Sequence, residues 1–530
     1  MRTLAMWTTA LMGVSCSATQ PAVDDVEDGV AVEAGKEDNF LSASAKEFVL
    51  EGRSSITVDA GASDRDIQKL IGLKHIAIAW FLNQYLVDKE DDDANHDYGG
   101  LGAMVKTGSY EDLDIQKEND TTYSFKFSQL IAGRTDLMKK LPLDSAGKLS
   151  VEIGRPTNDE MAQLETNNEW YRNAPWDAWD PSKVDAAKKE TLILDVRAET
   201  ASTDAWWDYN RLFGDGKLDI DVYFGWDYHS NFHLKHSRAF YDWLVGEKGF
   251  ESPVSSFDGY TRKSGPLTRT LDANGKKIAV EIRIIYGKPG SDTDPDTDAG
   301  GKVLEGEMRD SVKTRDVIVY SGHSGPFYGF ALADWRKTDE GDFDDSDMLV
   351  ADMASKYQVI VAEACDTYMI GQAFKNNPNK NGKNVDIITT TSFSNAATPN
   401  TVETFITKLI ETDSASRHRP RTLKSLLEDL DDNASSAGFT TMYGIHGIDD
   451  DPKLHPYANL AAACHTCRAN ADCGGPGNSC ITVGHSGKRC AAACTDDSGC
   501  PSGYGCRKVA SASTSTIYAS MCVPTDRVCR

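Results

Sequence analysis

Two apolar runs of this chain end in residues that can do covalent chemistry. Asp316-Val-Ile-Val-Tyr-Ser-Gly-His323-Ser-Gly-Pro leads into a small-residue turn bearing a histidine. Tyr357-Gln-Val-Ile-Val-Ala-Glu-Ala-Cys365-Asp leads into a cysteine. Short runs of Val and Ile bounded by turn residues read as strands buried on both faces. Neighbouring parallel strands would set His323 and Cys365 side by side at one sheet edge. There the imidazole can move the thiol proton, and a nearby cationic ring lowers the thiol pKa. A helix starting near Asp366 would aim its N-terminal dipole at the sulfur. The backbone N–H groups of Ser324 and Gly325, with that of Cys365, are the expected oxyanion hole.

Cys365 stands apart from the other eleven of the twelve cysteines. Cys16 lies near the N-terminus, and ten cysteines crowd the span from Cys464 to Cys529. An even, dense set in a short tail is what a disulfide framework requires. Cys467, Cys473, Cys480 and Cys490 are spaced much like Cys494, Cys500, Cys506 and Cys522, which predicts two disulfide modules in tandem. Zinc is the competing reading, because Cys464-His-Thr-Cys467 has ligand-like spacing.

The elements that must position the pair alternate regularly. Strands are expected at 218–224, 278–286, 316–320, 357–362, 385–390 and 439–445. Helices are expected at 231–245, 303–312, 347–356, 366–375, 401–411 and 422–430. This pattern predicts an α/β, three-layer domain with a mostly parallel sheet, in which ligands bind beyond the carboxyl ends of the strands. It is preceded by a mixed α/β region, with a helix at 66–86 and strands at 119–131, 148–153 and 190–196. The Trp-rich stretch Trp170, Trp176 and Trp179 reads as packing. The expected divisions are a signal at 1–18, an acidic linker at 19–44, an N-terminal domain at 45–205, the α/β domain at 206–455 and the Cys-rich tail at 460–530. The N-terminal domain's position suggests a pro-segment.

A strand ending in a His-bearing turn, followed about forty residues later by a strand ending in Ala-Cys, resembles the signature of the caspase–haemoglobinase fold. Val359-Ile-Val-Ala-Glu-Ala-Cys365 is similar to the legumain version, and Tyr320-Ser-Gly-His323 to the gingipain version. The resemblance covers roughly 230 residues and implies a cysteine endopeptidase that acts on a protein or peptide through a His323/Cys365 dyad and a thioester. It also implies substrate-pocket roles for Glu363, Ser392 and Asn395. An acidic Glu363 would suit a basic or amide P1 side chain, unless it serves a local ion pair. The family has Gly directly after the histidine, where this chain has Ser324. That departure keeps an inactive, surface-binding relative as the alternative.

Other groups were weighed as sites. His229, His233 and His236 fall at i, i+4 and i+7 of an expected helix, a zinc-compatible face without the Glu of HExxH chemistry. Asp292, Asp294, Asp296 and Asp298 alternate like hard-cation ligands, but Thr297 occupies the EF-hand glycine position, so the run reads first as a solvated acidic loop, with calcium as the alternative. Pro326 takes the place of the last Gly of a Gly-x-Ser-x-Gly elbow, which argues against an α/β-hydrolase. The formal net charge of -25 argues against nucleic acid as a partner. Arg2, the apolar run from Leu4 to Val14 and the small residues after it read as a secretion signal. Gly13-Val14-Ser15-Cys16 resembles a bacterial lipoprotein box, which would tether the chain through Cys16. The expected location is secreted or cell-envelope.

Overall fold

The computed structural model describes residues 39–90, 114–163, 170–177, 179–325, 329–365, 367–380, 383–391, 394–396, 400–438, 441–510 and 517–529. The expected signal with Cys16, most of the acidic linker, Asp366 and Ser392 lie outside them.

The N-terminal region contributes β1 (Leu41–Ser42), β2 (Ala45–Thr57), α1 (Asp64–Glu90), β3 (Thr122–Arg134), β4 (Lys148–Gly154) and β5 (Lys189–Ala198). A short strand at Gln116–Lys117, then β3, β2, β5 and β4, form an antiparallel sheet in that order. Strand β2 was not expected, because Lys46, Glu51, Arg53 and Ser55 interrupt its apolar residues. It forms because Ala45, Phe48, Leu50 and Ile56 enter the core. Helix α1 lays Ile71, Ile78 and Phe81 into the same core. The Phe81 ring meets Trp170 at 5.6 Å, Trp176 at 5.8 Å and Trp179 at 4.8 Å, so the Trp-rich stretch is packing.

The main sheet is built from β6 (Lys217–Phe224), α2 (Phe232–Gly246), β7 (Leu267–Ala273), β8 (Lys276–Tyr286), α3 (Asp298–Thr314), β9 (Val317–Ser321), β10 (Gln358–Glu363), α4 (Tyr368–Lys375), β11 (Val385–Thr390), α5 (Thr401–Leu409), α6 (Leu423–Ser436) and β12 (Tyr443–His446). Its strand order is β1-β12-β11-β10-β9-β6-β8-β7. The five central strands, β11 to β8 in that order, are mutually parallel. The flanking β1, β12 and β7 are antiparallel to their neighbours. The domain is α/β with a large mixed sheet of mostly parallel strands.

Alternation along each central strand divides its side chains between two cores. Ile318, Ile360 and Ile387 pack on one face with Leu304 and Met308 of α3 and Phe374 of α4. Val319, Val361 and Ile388 pack on the other with Phe240 of α2, Phe405 of α5 and Leu426 of α6. Each fully buried Val or Ile contributes about 1.5–3 kcal/mol, so both faces hold β9 and β10 rigidly.

Two elements differ from expectation. Strand β7 was missed because Arg269 and Asp272 break its apolar pattern. The helix expected at 347–356 is only Asp345–Val350. Asn377 Nδ2 donates to the carbonyls of Met348 (2.8 Å), Leu349 (3.2 Å) and Ala351 (2.9 Å), which takes the acceptors that a longer helix would use.

The tail holds five disulfides: Cys464–Cys529, Cys467–Cys480, Cys473–Cys490, Cys494–Cys506 and Cys500–Cys522. Each group of four joins its first cysteine to its third and its second to its fourth. Each also carries one hairpin, Asn478–Thr482 with Lys488–Ala492 and Tyr504–Ala510 with Ile517–Pro524. The ten tail cysteines are thus all in disulfides, and the connectivity, which their spacing left open, is the same in both groups. Cys464 and Cys467 go to different disulfides, which removes the zinc reading. Closing a loop of about 15 residues is worth about 3 kcal/mol, a large share of what so small a core needs. Such a tail suits an oxidising compartment and a secreted or surface protein. No described helix is long and apolar enough to cross a membrane.

Candidate active site

Strands β9 and β10 pair in parallel register from Val317↔Val359 to Ser321↔Glu363. His323 and Cys365 each follow the last paired residue of this register by two positions. Gly322 N donates to Glu363 O at 3.2 Å, and Ser324 Oγ donates to the Cys365 carbonyl, so the two loops are tied together. Small residues make this junction possible. A Cβ on Gly322 would lie 2.7 Å from Tyr320 Oη and 2.8 Å from Gly225 Cα, so the ends of β6 and β9 could not close.

Beyond β6 the chain reads Phe224-Gly-Trp-Asp227. The buried Asp227 carboxylate accepts four hydrogen bonds. Oδ1 takes His323 Nε2 at 2.9 Å and His229 Nδ1 at 3.2 Å. Oδ2 takes the backbone N–H groups of Ser230 at 2.9 Å and Phe232 at 3.0 Å. Burial opposes its ionisation most strongly, but these donors together hold the carboxyl well below the usual range. An ionised carboxylate only accepts, so His323 carries its proton on Nε2 and leaves Nδ1 as the acceptor. Burial lowers the His323 pKa, and Asp227 offsets this in part. The His323 ring also stacks on Tyr228 at 4.6 Å, and the Arg336 guanidinium lies over that tyrosine at 4.3 Å. Sequence reasoning missed Asp227. Its one signal was its position just after a buried strand.

Cys365 is half-buried and is the one described cysteine outside a disulfide. Its Sγ lies 3.3 Å from the Ser394 carbonyl. Glu363, two residues before it, is buried and binds Ser321 Oγ at 2.6 Å and Ser394 Oγ. Burial pushes Glu363 up to about 7, with the two serines opposing the shift. Glu363, His323 and Asn395 line one small cavity of about 20 Å³, room for a single water. A cleft of about 380 Å³ lies next to it, lined by Trp226, Tyr228, His229 and Arg336. The two share Asp227 and His233. His233 Nδ1 accepts from Asp227 N at 3.2 Å, so its proton is on Nε2, which is buried and has no partner.

Of the expected oxyanion donors, Ser324 and Gly325 form a short strand opposite Gly329–Ala331. Ala331 N donates to His323 O at 3.1 Å. His323/Ala331 is thus a hydrogen-bonded pair, and the next pair, Ser324/Phe330, is not. The Ser324 N–H therefore points away from the hairpin. Ser324 is not among the described residues with positive φ, so serine sits there without the strain that a glycine-only conformation would impose. The helix expected at Asp366 begins at Tyr368. Of the expected pocket residues, Glu363 and Asn395 line the small cavity with His323, as does Ser394, while Ser392 lies outside the described residues.

The remaining candidates do not gather into the metal groups that their spacing allowed. His229 precedes α2, because Asn231 takes a left-handed conformation (φ 54°) and the helix starts at Phe232. The three histidines do not share a helix face. Instead, His229 joins Asp227 and His323, whose ligand atoms lie within 4.8 Å of one another. Asp292 pairs with Arg262 and Lys263, and Asp296 with Lys337. Asp294 accepts from Gly290 N, and Asp298 from Thr338 Oγ1. The four carboxylates do not converge on one point.

Compared with known proteins, the chain matches no protein-family model, no curated protein and no solved structure.

Proposed function

We propose that the α/β domain is a caspase-like cysteine endopeptidase, secreted or held at the cell envelope. The observation that supports this is the parallel β9/β10 register, whose two strands end two residues before His323 and Cys365 respectively. Asp227 adds a third member that fixes the ring by its Nε2–H. The Cys365 thiolate attacks the scissile carbonyl, and the Ser324 N–H stabilises the oxyanion. The His323 ring gives the proton it holds on Nδ1 to the leaving amine. Water, deprotonated by the same nitrogen, then hydrolyses the thioester. Glu363 lines the P1 pocket, and the adjoining cleft receives neighbouring substrate residues. A long P1 side chain enters the small cavity by displacing Ser394–Ala396.

The second reading is a binding protein with an inactive peptidase-like domain, and the small volume beside Glu363 favours it. The test compares wild type with Cys365→Ala on fluorogenic peptides that differ at P1. Cleavage by wild type alone supports the peptidase. Absence of cleavage by both, after limited proteolysis as well as before it, supports the binding protein.

A further inference from the structure

We infer that Asp227, His229 and His323 form a binding site for a zinc-class divalent metal ion, and that its occupation switches the His323–Cys365 dyad off. The regulatory half of this inference rests on the peptidase reading; the binding half does not.

The donor set is two imidazole nitrogens and one carboxylate oxygen, gathered within 4.8 Å. Imidazole selects borderline transition ions over calcium or magnesium. Three protein ligands and one open position are the pattern of an accessible zinc site. Metal–nitrogen bonds of about 2.0–2.1 Å in a tetrahedron put adjacent ligand atoms about 3.3 Å apart. Asp227 Oδ1 already stands 2.9 Å from His323 Nε2 and 3.2 Å from His229 Nδ1. A metal ion therefore replaces two hydrogen bonds with little movement of Asp227. The His229 side chain is 52% exposed, so it can turn inward to complete the set.

A second observation points to a ligand at the same place. His233 lines both cavities with Asp227, and its Nε2–H is buried without an acceptor. A buried donor left unpaired is destabilising. A hydroxide in the open metal position keeps lone pairs free and can serve as the acceptor.

Inhibition follows from proton positions. In the metal-free protein His323 holds its proton on Nε2, facing Asp227. Coordination through Nε2 needs that lone pair, so the ring's single proton moves to Nδ1 and none is lost. His229 makes the opposite exchange, from Nδ1 to Nε2. With Nδ1 protonated and the ring neutral, His323 has no nitrogen left to accept the thiol proton.

The experiment uses full-length protein with its tail disulfides intact. Cobalt(II), which absorbs visibly in a tetrahedral site, is titrated into Cys365→Ala protein. That variant removes any thiolate competitor. One equivalent of cobalt is expected to bind and to be displaced by zinc, and His229→Ala should weaken binding at least tenfold. On the Cys365 protein, zinc should inhibit peptide cleavage reversibly by chelator. The inhibitory concentration should rise at least tenfold in His229→Ala, measured against that variant's own metal-free rate. No cobalt band in Cys365→Ala overturns the site, as does zinc inhibition unaltered by His229→Ala. A protein that binds cobalt through His229 but cleaves nothing keeps the site and overturns the peptidase reading with its switch.

Discussion

Asp227→Asn is nearly isosteric, yet it should disable the dyad. Asp227 Oδ2 accepts from Ser230 N and Phe232 N, and only an oxygen can stay there. The asparagine amide therefore faces His323 Nε2 with its NH2 group. Nε2 must then accept, which moves the ring proton to Nδ1, the wrong nitrogen for catalysis. The productive tautomer is recovered only by flipping the amide, which breaks two backbone hydrogen bonds and sets donor against donor. At about 1 kcal/mol for each lost bond, and somewhat more for the donors left unpaired, the flip costs about 2–4 kcal/mol. That corresponds to a loss of roughly 30- to 1,000-fold in kcat/KM. The assay is kcat/KM on the preferred fluorogenic peptide between pH 5 and 9, with thermal unfolding run in parallel. A variant within threefold of wild type across that range, and equally folded, would refute the tautomer reasoning.

Glu363 titrates from about 7 in the folded protein, against 4.5 as its ordinary value. Its raised pKa costs stability as pH climbs from 4.5 to 7, the full cost remains above 7, and none applies below 4.5. Glu363→Gln should therefore raise unfolding free energy by up to about 3 kcal/mol at pH 8 and by nothing at pH 4. In wild type, the preference for a cationic over a neutral P1 residue should grow as pH passes 7; Glu363→Gln should abolish that growth, as kcat/KM ratios will show. Ser324→Ala breaks the tie to the Cys365 carbonyl and should cost about 1 kcal/mol of stability, with a fall in kcat rather than a rise in KM. Gly322→Ala forces its methyl against Tyr320 and Gly225 and should destabilise by about 1–3 kcal/mol, read by denaturant midpoint.

The β-branched runs before His323 and Cys365 made the central strands legible, because a strand buried on both faces needs no alternation. Helix and strand order followed from the same signal. Asp227 was not legible. It is one of 81 acidic residues, and only the pairing of β6 with β9 brings it to His323. The histidine stripe was misread for a local reason, since one left-handed residue, Asn231, separates His229 from the helix. Strand β7 hid behind its charged alternate positions, and the early end of the Asp345–Val350 helix depends on Asn377, a residue distant in sequence. The tail was legible because cysteine spacing repeats, and its crossed connectivity came only with the hairpins.

The N-terminal region is not an appendage that could be removed cleanly. Strand β1 pairs Leu41 with Ile445 and Ser42 with Gly444, and Phe40 packs against the face that Gly444 leaves bare of a side chain. It covers what would otherwise be the exposed margin of the main sheet. Unpaired margins recruit strands from other molecules. A chain cut after Ser42 loses the two residues that pair with β12, and self-association through β12 is the expected cost.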